Sequence, residues 1–221
     1  MVEPLAITDC AIIPISTGEK AHNLRELRDR LMSLHDPGIM YYHFWDALLR
    51  PRFIDPEYRN DFAAWTYHNL RDRTLAERLS IINPTHYKPM DALRSEIIEI
   101  IEERMDEPDY IHRGDADHPF FFVRSQIVVF DTDIRIDTPK ELFDIVPKLS
   151  PSSFFYHFID SRRRTVTGEN DFSEWLWRFG ERYRTFADDI AAIDPYFNNL
   201  TELRDELVNV FSKYEKEGTS S

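Results

Sequence analysis

The sequence predicts a mainly α fold of two tandem helical repeats, each a strand plus four helices, packed pseudo-symmetrically with a minor β-ribbon. Three observations carry this expectation. Tyr42-His43-Phe44 recurs as Tyr156-His157-Phe158, and Asp46 and Arg50 recur as Asp160 and Arg164, all 114 positions apart. Asn60-Asp61-Phe62-x-x-Trp65 recurs as Asn170-Asp171-Phe172-x-x-Trp175 at a separation of 110, so the intervening loop is four residues shorter in the second copy. Loops absorb such changes cheaply. Leu93, Arg94, Glu96, Ile97, Ile100 and Ile101 stand opposite Leu203, Arg204, Glu206, Leu207, Val210 and Phe211, again 110 apart. An internal repeat of this length sets the organisation of the chain: a first repeat over 1–105, an acidic linker over 106–118, a second repeat over 119–214 and a disordered tail over 215–221.

Each element has its own signal. Ala11-Ile12-Ile13-Pro14-Ile15 reads as a short strand that Pro14 confines to an edge or breaks early. Its counterpart between Phe120 and Ile136 holds Ile127, Val128, Val129 and Phe130 and is the better strand. Leu24, Leu27, Leu31 and Leu34 line one face of a helix that Asn23 caps; in the second copy Thr138-Pro139 supplies the cap and the first-turn proline. Pro37 and Pro151 open a second helix carrying the Tyr-His-Phe segment. Asn60-Asp61 and Asn170-Asp171 start a long third helix, which ends near Asn83-Pro84 and Asp194-Pro195, where the residue before proline is pushed out of the α region. The fourth helix is amphipathic from Leu93 and from Leu203. Between the copies, Glu102 to His118 holds seven acids, two bases, Pro108 and Gly114, the composition of a linker or exposed turn. An isolated strand would leave its backbone groups unsatisfied, so the two strands are expected to pair.

Composition narrows the function. In 221 residues, 27 Lys and Arg face 40 Asp and Glu, a formal charge of −13. That balance argues against nucleic acid as the main ligand, because such binding rests on cations neutralising phosphates. No stretch approaches a membrane span. Cys10 alone makes no intramolecular disulfide and, with no signal-peptide pattern, points to the cytoplasm; in a strand it reads as a buried, inert thiol. There is no Gly-x-Gly-x-x-Gly, P-loop, Gly-x-Ser-x-Gly elbow, zinc-type Cys pair or His-Glu-x-x-His, and no metal or cofactor is expected.

The candidate chemistry lies where polar residues repeat. His43, Asp46 and Arg50, like His157, Asp160 and Arg164, are spaced i, i+3, i+7 along one helix stripe. One reading is a metal or acid/base constellation in which two His-x-x-Asp pairs join Asp61 and Asp171, in the manner of dinuclear centres inside bundles; the residue order is reversed from that pattern. The preferred reading is structural. Each imidazole, buried among Tyr and Phe, bonds a carboxylate or a helix-start group and fixes how the second helix meets the third, with Arg50 and Arg164 pairing bidentately with Asp61 and Asp171. A site using only one copy is a third reading. The aromatic residues crowding both copies suit a sugar-binding surface or, at helical spacing, core. Core is preferred for Trp65 and Trp175, which repeat; the unrepeated Trp45 and Trp177 are candidate interface residues. Arg162-Arg163-Arg164 is a solvated helix end.

Tyr-Tyr-His-Phe-Trp-Asp and Phe-Phe-Tyr-His-Phe-Ile-Asp, each followed by Asn-Asp-Phe-x-x-Trp and an Asn/Asp-Pro turn, resemble a prokaryotic family of unknown function built from this duplicated helical unit. Its members are sometimes attached to or near glycosyltransferases of the trehalose-synthase type. The resemblance implies a link to carbohydrate metabolism and carries no catalytic residue. The expected function is therefore a non-enzymatic accessory or regulatory module that binds a protein, either a carbohydrate enzyme or a second copy of itself. The alternative is an enzyme or a small-molecule or metal-binding protein with a site between the repeats.

Overall fold

A computed structural model describes residues 2–49, 57–110, 114–196 and 198–218. It corrects the expected fold class. The protein is a mixed helix and strand fold, about 57% helix and 17% strand, and its antiparallel two-stranded sheet is too large to be a minor ribbon. Strand β1 runs Leu5–Ala21 and β2 runs Phe120–Ile136, 17 residues each. Pro14 lies within β1 and does not break it, because each strand of a two-stranded sheet has one edge where no ladder hydrogen bond is lost to proline. The antiparallel order shows in two side-chain bonds: Thr17 Oγ1 donates to the Phe122 carbonyl near one end, and Thr132 Oγ1 to the Ile7 carbonyl near the other.

The helices also depart from four per half. Between the strands lie α1 (Leu24–Ser33), α2 (Pro37–Trp45), α3 (Asp61–Asn69), α4 (Arg73–Ser80) and α5 (Met90–Asp106). After β2 come α6 (Pro139–Ile145), α7 (Pro151–Phe155), α8 (Ser161–Arg164), α9 (Asp171–Trp177), α10 (Arg184–Ala191) and α11 (Leu200–Gly218). The long third helix is split in both places. Arg71 takes a left-handed φ of 59° and Gly180 one of 86°, a conformation that ends a right-handed helix; Asp72 then caps α4. A π-helical turn, Tyr156–Asp160, joins α7 to α8. The last helix continues to Gly218, past the expected start of the tail.

The chain forms two compact units, and they are not consecutive halves: one is Ile12–Gln126, the other Met1–Ala11 with Ile127–Ser221. Each unit thus contains part of both strands. In the Ile12–Gln126 unit, Leu24, Leu27 and Leu31 of α1, Phe62 of α3, Leu75 and Leu79 of α4, Leu93, Ile97 and Ile101 of α5, and Phe120 and Phe122 of β2 form the core. Asn23 caps α1 by accepting from Glu26 N, as its position predicts. Gly38 lets α2 approach β2: a Cβ there would stand 3.1 Å from the Ser125 carbonyl oxygen. In the other unit, Leu142, Phe154, Phe155, Phe158, Phe172, Leu176, Phe186, Leu203 and Leu207 are buried. Thr138 and Glu141 form a capping box at the start of α6.

Candidate functional site

The helix-start signals place the repeated polar residues. Asn60 and Asn170 cap α3 and α9 by accepting from the third backbone amide, Ala63 N and Ser173 N, each at 2.9 Å. That geometry sets Asp61 and Asp171 at the first helical position, facing the imidazoles. His43 Nδ1 lies 2.9 Å from Asp61 Oδ2, and His157 Nδ1 lies 2.8 Å from Asp171 Oδ2. On the far side of each ring a strand amide donates: Val123 N to His43 Nε2 at 3.2 Å, and Thr8 N to His157 Nε2 at 2.8 Å.

These two bonds fix the chemistry of the ring. A backbone N–H only donates, so Nε2 must carry a lone pair, and the single ring proton sits on Nδ1 and points at the carboxylate. Both imidazoles are 2% exposed. Neither nitrogen is left to take a substrate proton or bind a metal. The arrangement clamps a strand to the start of a helix and satisfies a strand-edge amide that would otherwise be buried and orphaned. Phe62 and Phe120 pack against His43, with ring centroids 5.2 and 4.7 Å away, and Phe172 packs against His157 at 5.7 Å.

The other predicted residues divide. Asp160, fully buried, accepts from Arg163 Nε at 2.5 Å and Arg164 Nε at 3.0 Å. Arg164 also reaches Asp171 Oδ2 at 3.1 Å through Nη2 and lies over the Tyr156 ring, 3.9 Å from its centroid. Burial opposes the Arg164 charge, but Asp171, with Tyr156 and Asp160, outweighs it and the guanidinium pKa is raised. The expected bidentate fork on Asp171 is therefore corrected: Arg164 bridges two carboxylates with one bond to each. Asp46 is buried in the 3-10 turn after α2. Arg50 lies outside the described residues. Among the described residues, no group of three or more His, Cys, Asp or Glu side chains is placed to hold a metal ion.

The tryptophans follow the core reading more widely than expected. Trp65 and Trp175 are buried and donate to the His118 and Glu3 carbonyls at 2.8 and 2.9 Å. Trp45 is 4% exposed, which removes it as an interface residue; it closes the apolar end of α2 beside Tyr41. Trp177 is partly exposed and donates to Asp188 Oδ1 at 2.9 Å. Cys10 is buried as expected, and burial, with Asp160 and Asp9 nearby, pushes its thiol up to about 12.

One charged cluster escaped sequence reasoning. Arg104 occupies the buried stripe of α5 after Leu93, Ile97 and Ile101. Its Nε donates to Asp72 Oδ2 at 2.9 Å, and its Nη1 to Glu107 at 2.5 Å and Asp109 at 3.3 Å. Burial works against its charge, but the bonds to Asp72 and Glu107 raise its pKa well above the usual arginine value. The available signal was an arginine continuing an otherwise apolar helix face, a position where a charge is buried only if paired.

No described helix is long and apolar enough to cross a membrane. Comparison with curated proteins finds no match. Among solved structures, OrfY from Thermoproteus tenax is similar, with 28% sequence identity, a TM-score of 0.80 and 98% of each chain covered. The model of a family of unknown function, DUF5752, matches residues 2–212, and the chain belongs to that family.

Proposed function

We propose that this protein is a non-catalytic accessory module that binds another protein through its strands, with sugar-processing enzymes as the partner class. The observation that carries this reading is the exposure of large apolar side chains on β2: Val129 and Phe130 are 47% and 52% exposed. Apolar side chains left in water on a strand are what a partner surface covers. The closed imidazoles support the non-catalytic half of the reading, because the most reactive side chains of the repeated motif are consumed in holding strands to helices. The family resemblance names the first enzyme to test, a trehalose-synthase-type glycosyltransferase.

Sedimentation velocity of the chain alone and mixed with such a glycosyltransferase from the same organism tests the proposal. The expected result is a complex, or a self-associated species, that Phe130→Ser with Val129→Ser abolishes while helical circular dichroism is retained. A monomer with no complex under either condition, or a complex indifferent to those substitutions, overturns it.

A further inference from the structure

The strands carry the same repeat as the helices. Thr8 and Val123, Thr17 and Thr132, and the capping residues Asn23 and Thr138 all stand 115 positions apart. Each pair does one job: Thr8 N and Val123 N donate to an imidazole, and Thr17 Oγ1 and Thr132 Oγ1 donate to a carbonyl of the facing strand. At the same separation, Pro14 of β1 is matched by Val129 of β2.

Where these two residues lie decides what each sheet edge can do. Backbone groups along a strand alternate between the facing strand and the outer edge. Thr8 turns both of its groups outward, its amide to His157 and its carbonyl to Ser153 Oγ at 2.8 Å. Counting on by twos, Pro14 is an outward residue, so the β1 edge lacks a donor there, a device that blocks pairing. Thr132 meets the inward carbonyl of Ile7, so Asp131, Val129 and Ile127 are the outward residues of β2. Val129 keeps the N–H that proline lacks.

The β2 edge is open over a short, bounded stretch. Before it, His43 takes the Val123 amide and Gly38 stands against the Ser125 carbonyl. After it, Asp133 turns left-handed at φ 60°, and the Asp131 carboxylate accepts from Asp133 N and from Arg135. Between these limits, no helix or loop among the described residues bonds to Ile127, Val128, Val129 or Phe130. An open edge of this kind is a template for another strand.

The stretch 127–131 is also complementary to itself. Laid antiparallel on its own copy about a two-fold axis through Val129, its midpoint, the two Val129 residues exchange both backbone bonds. Each Val128 then faces Phe130 of the second copy, a favourable β-branched and aromatic pair. Each Asp131 faces Ile127 of the second copy, so no two acids are opposed. An axis at Asp131 would oppose like charges, and one at Ile127 would run into the covered Val123.

We propose that β2 pairs with β2 of a second copy over residues 127–131, continuing the sheet across a two-fold dimer. The proposal rests on the reading of β2 as a protein-binding strand and adds a second copy as the occupant of its open edge. Sedimentation velocity of the full chain at about 0.15 M salt, where repulsion between chains of charge −13 is largely screened, should show a dimer that grows with concentration up to about 100 μM. Val129→Pro should weaken association at least about tenfold. Its circular dichroism and melting midpoint should match the wild type, because proline at an outward position costs the monomer no ladder bond. In a Cys10→Ala background, Val129→Cys should cross-link into a disulfide dimer on treatment with diamide, and Ile127→Cys, which faces Asp131 of the second copy, should not. A monomer at every concentration, a dimer indifferent to Val129→Pro, or equal cross-linking by the two thiols overturns the proposal. A monomeric chain that still binds the glycosyltransferase through Val129 and Phe130 overturns pairing between copies and leaves the protein-binding reading standing.

Discussion

The two units solve one problem in the same way and a second in opposite ways. Both clamp a strand amide to a helix start through an imidazole and an aspartate, Val123–His43–Asp61 in one and Thr8–His157–Asp171 in the other. They differ where the long last helix of each unit meets the preceding pair. The Ile12–Gln126 unit uses Arg104 on Asp72; the other uses Tyr214, whose ring stacks on Phe186 and whose hydroxyl donates to the Arg182 carbonyl at 2.9 Å. The lesson is that a shared polar contact marks what the fold requires, and a contact that differs marks where one unit is free to do something else.

The largest expected effect comes from cutting the ionic version. Asp72→Ala removes the cap of α4 and leaves the buried Arg104 Nε without its acceptor, while Glu107 and Asp109 still hold Nη1, so the urea unfolding free energy should fall by about 2–4 kcal/mol; a fall under about 1 kcal/mol would mean that Arg104 finds solvent without it. Next come the clamps. His43→Ala and His157→Ala each orphan a strand amide and leave a hole, and each should cost about 2–4 kcal/mol by the same assay. Because the geometry is shared, the two losses should agree within about 1 kcal/mol, and a wide gap would show that the likeness is only geometric. Tyr214→Ala, removing a half-buried ring, should cost about 1–3 kcal/mol. Removing both charges at once, by Asp72→Asn with Arg104→Leu, keeps a good cap and should leave stability within about 1 kcal/mol of wild type or above it. A large loss in that double variant would make the ion pair structural after all.

The smallest effect is a pH slope on the unit that contains Cys10. The thiol ordinarily ionises near 9.0, and burial, aided by Asp160 and Asp9, raises it to about 12 in the folded protein. Between those values the unfolded chain releases a proton that the folded chain keeps, so stability present below pH 9 declines as pH rises toward 12. Thermal melts from pH 8 upward should show this decline, flattened in Cys10→Ala.

Much of the local structure was legible because its causes are local. Asn23, Thr138, Asn60 and Asn170 cap helices where their side chains and neighbours said they would; the repeated stripe and helix start pointed each imidazole to a carboxylate or a helix-start group, but assigned Asp61 and Asp171 to Arg50 and Arg164, and it is the structure that sets them against His43 and His157. What failed depended on partners far along the chain. The acceptor role of Nε2 needs Thr8 and Val123, which lie 149 and 80 positions from their imidazoles. The length of β1 was hidden by Pro14, since one strand read alone does not show that its second edge is free. The break at Arg71 was hidden because a non-glycine residue rarely takes a positive φ, and Trp45 looked like an interface residue only because it did not repeat.

The division of the strands between the units has a consequence for the chain as it is made. The Ile12–Gln126 unit is one continuous stretch, so a nascent chain can complete it as soon as Gln126 has left the ribosome. The stretch before Ile12 cannot follow suit. Its partners are His157 and Trp175, the latter 172 positions from the Glu3 carbonyl it binds, so residues made before the Ile12–Gln126 unit find their place only after it. Contacts of such long range are slow to form. For that interval the amino-terminal part of β1 is a strand without its helices, attached to a unit already closed.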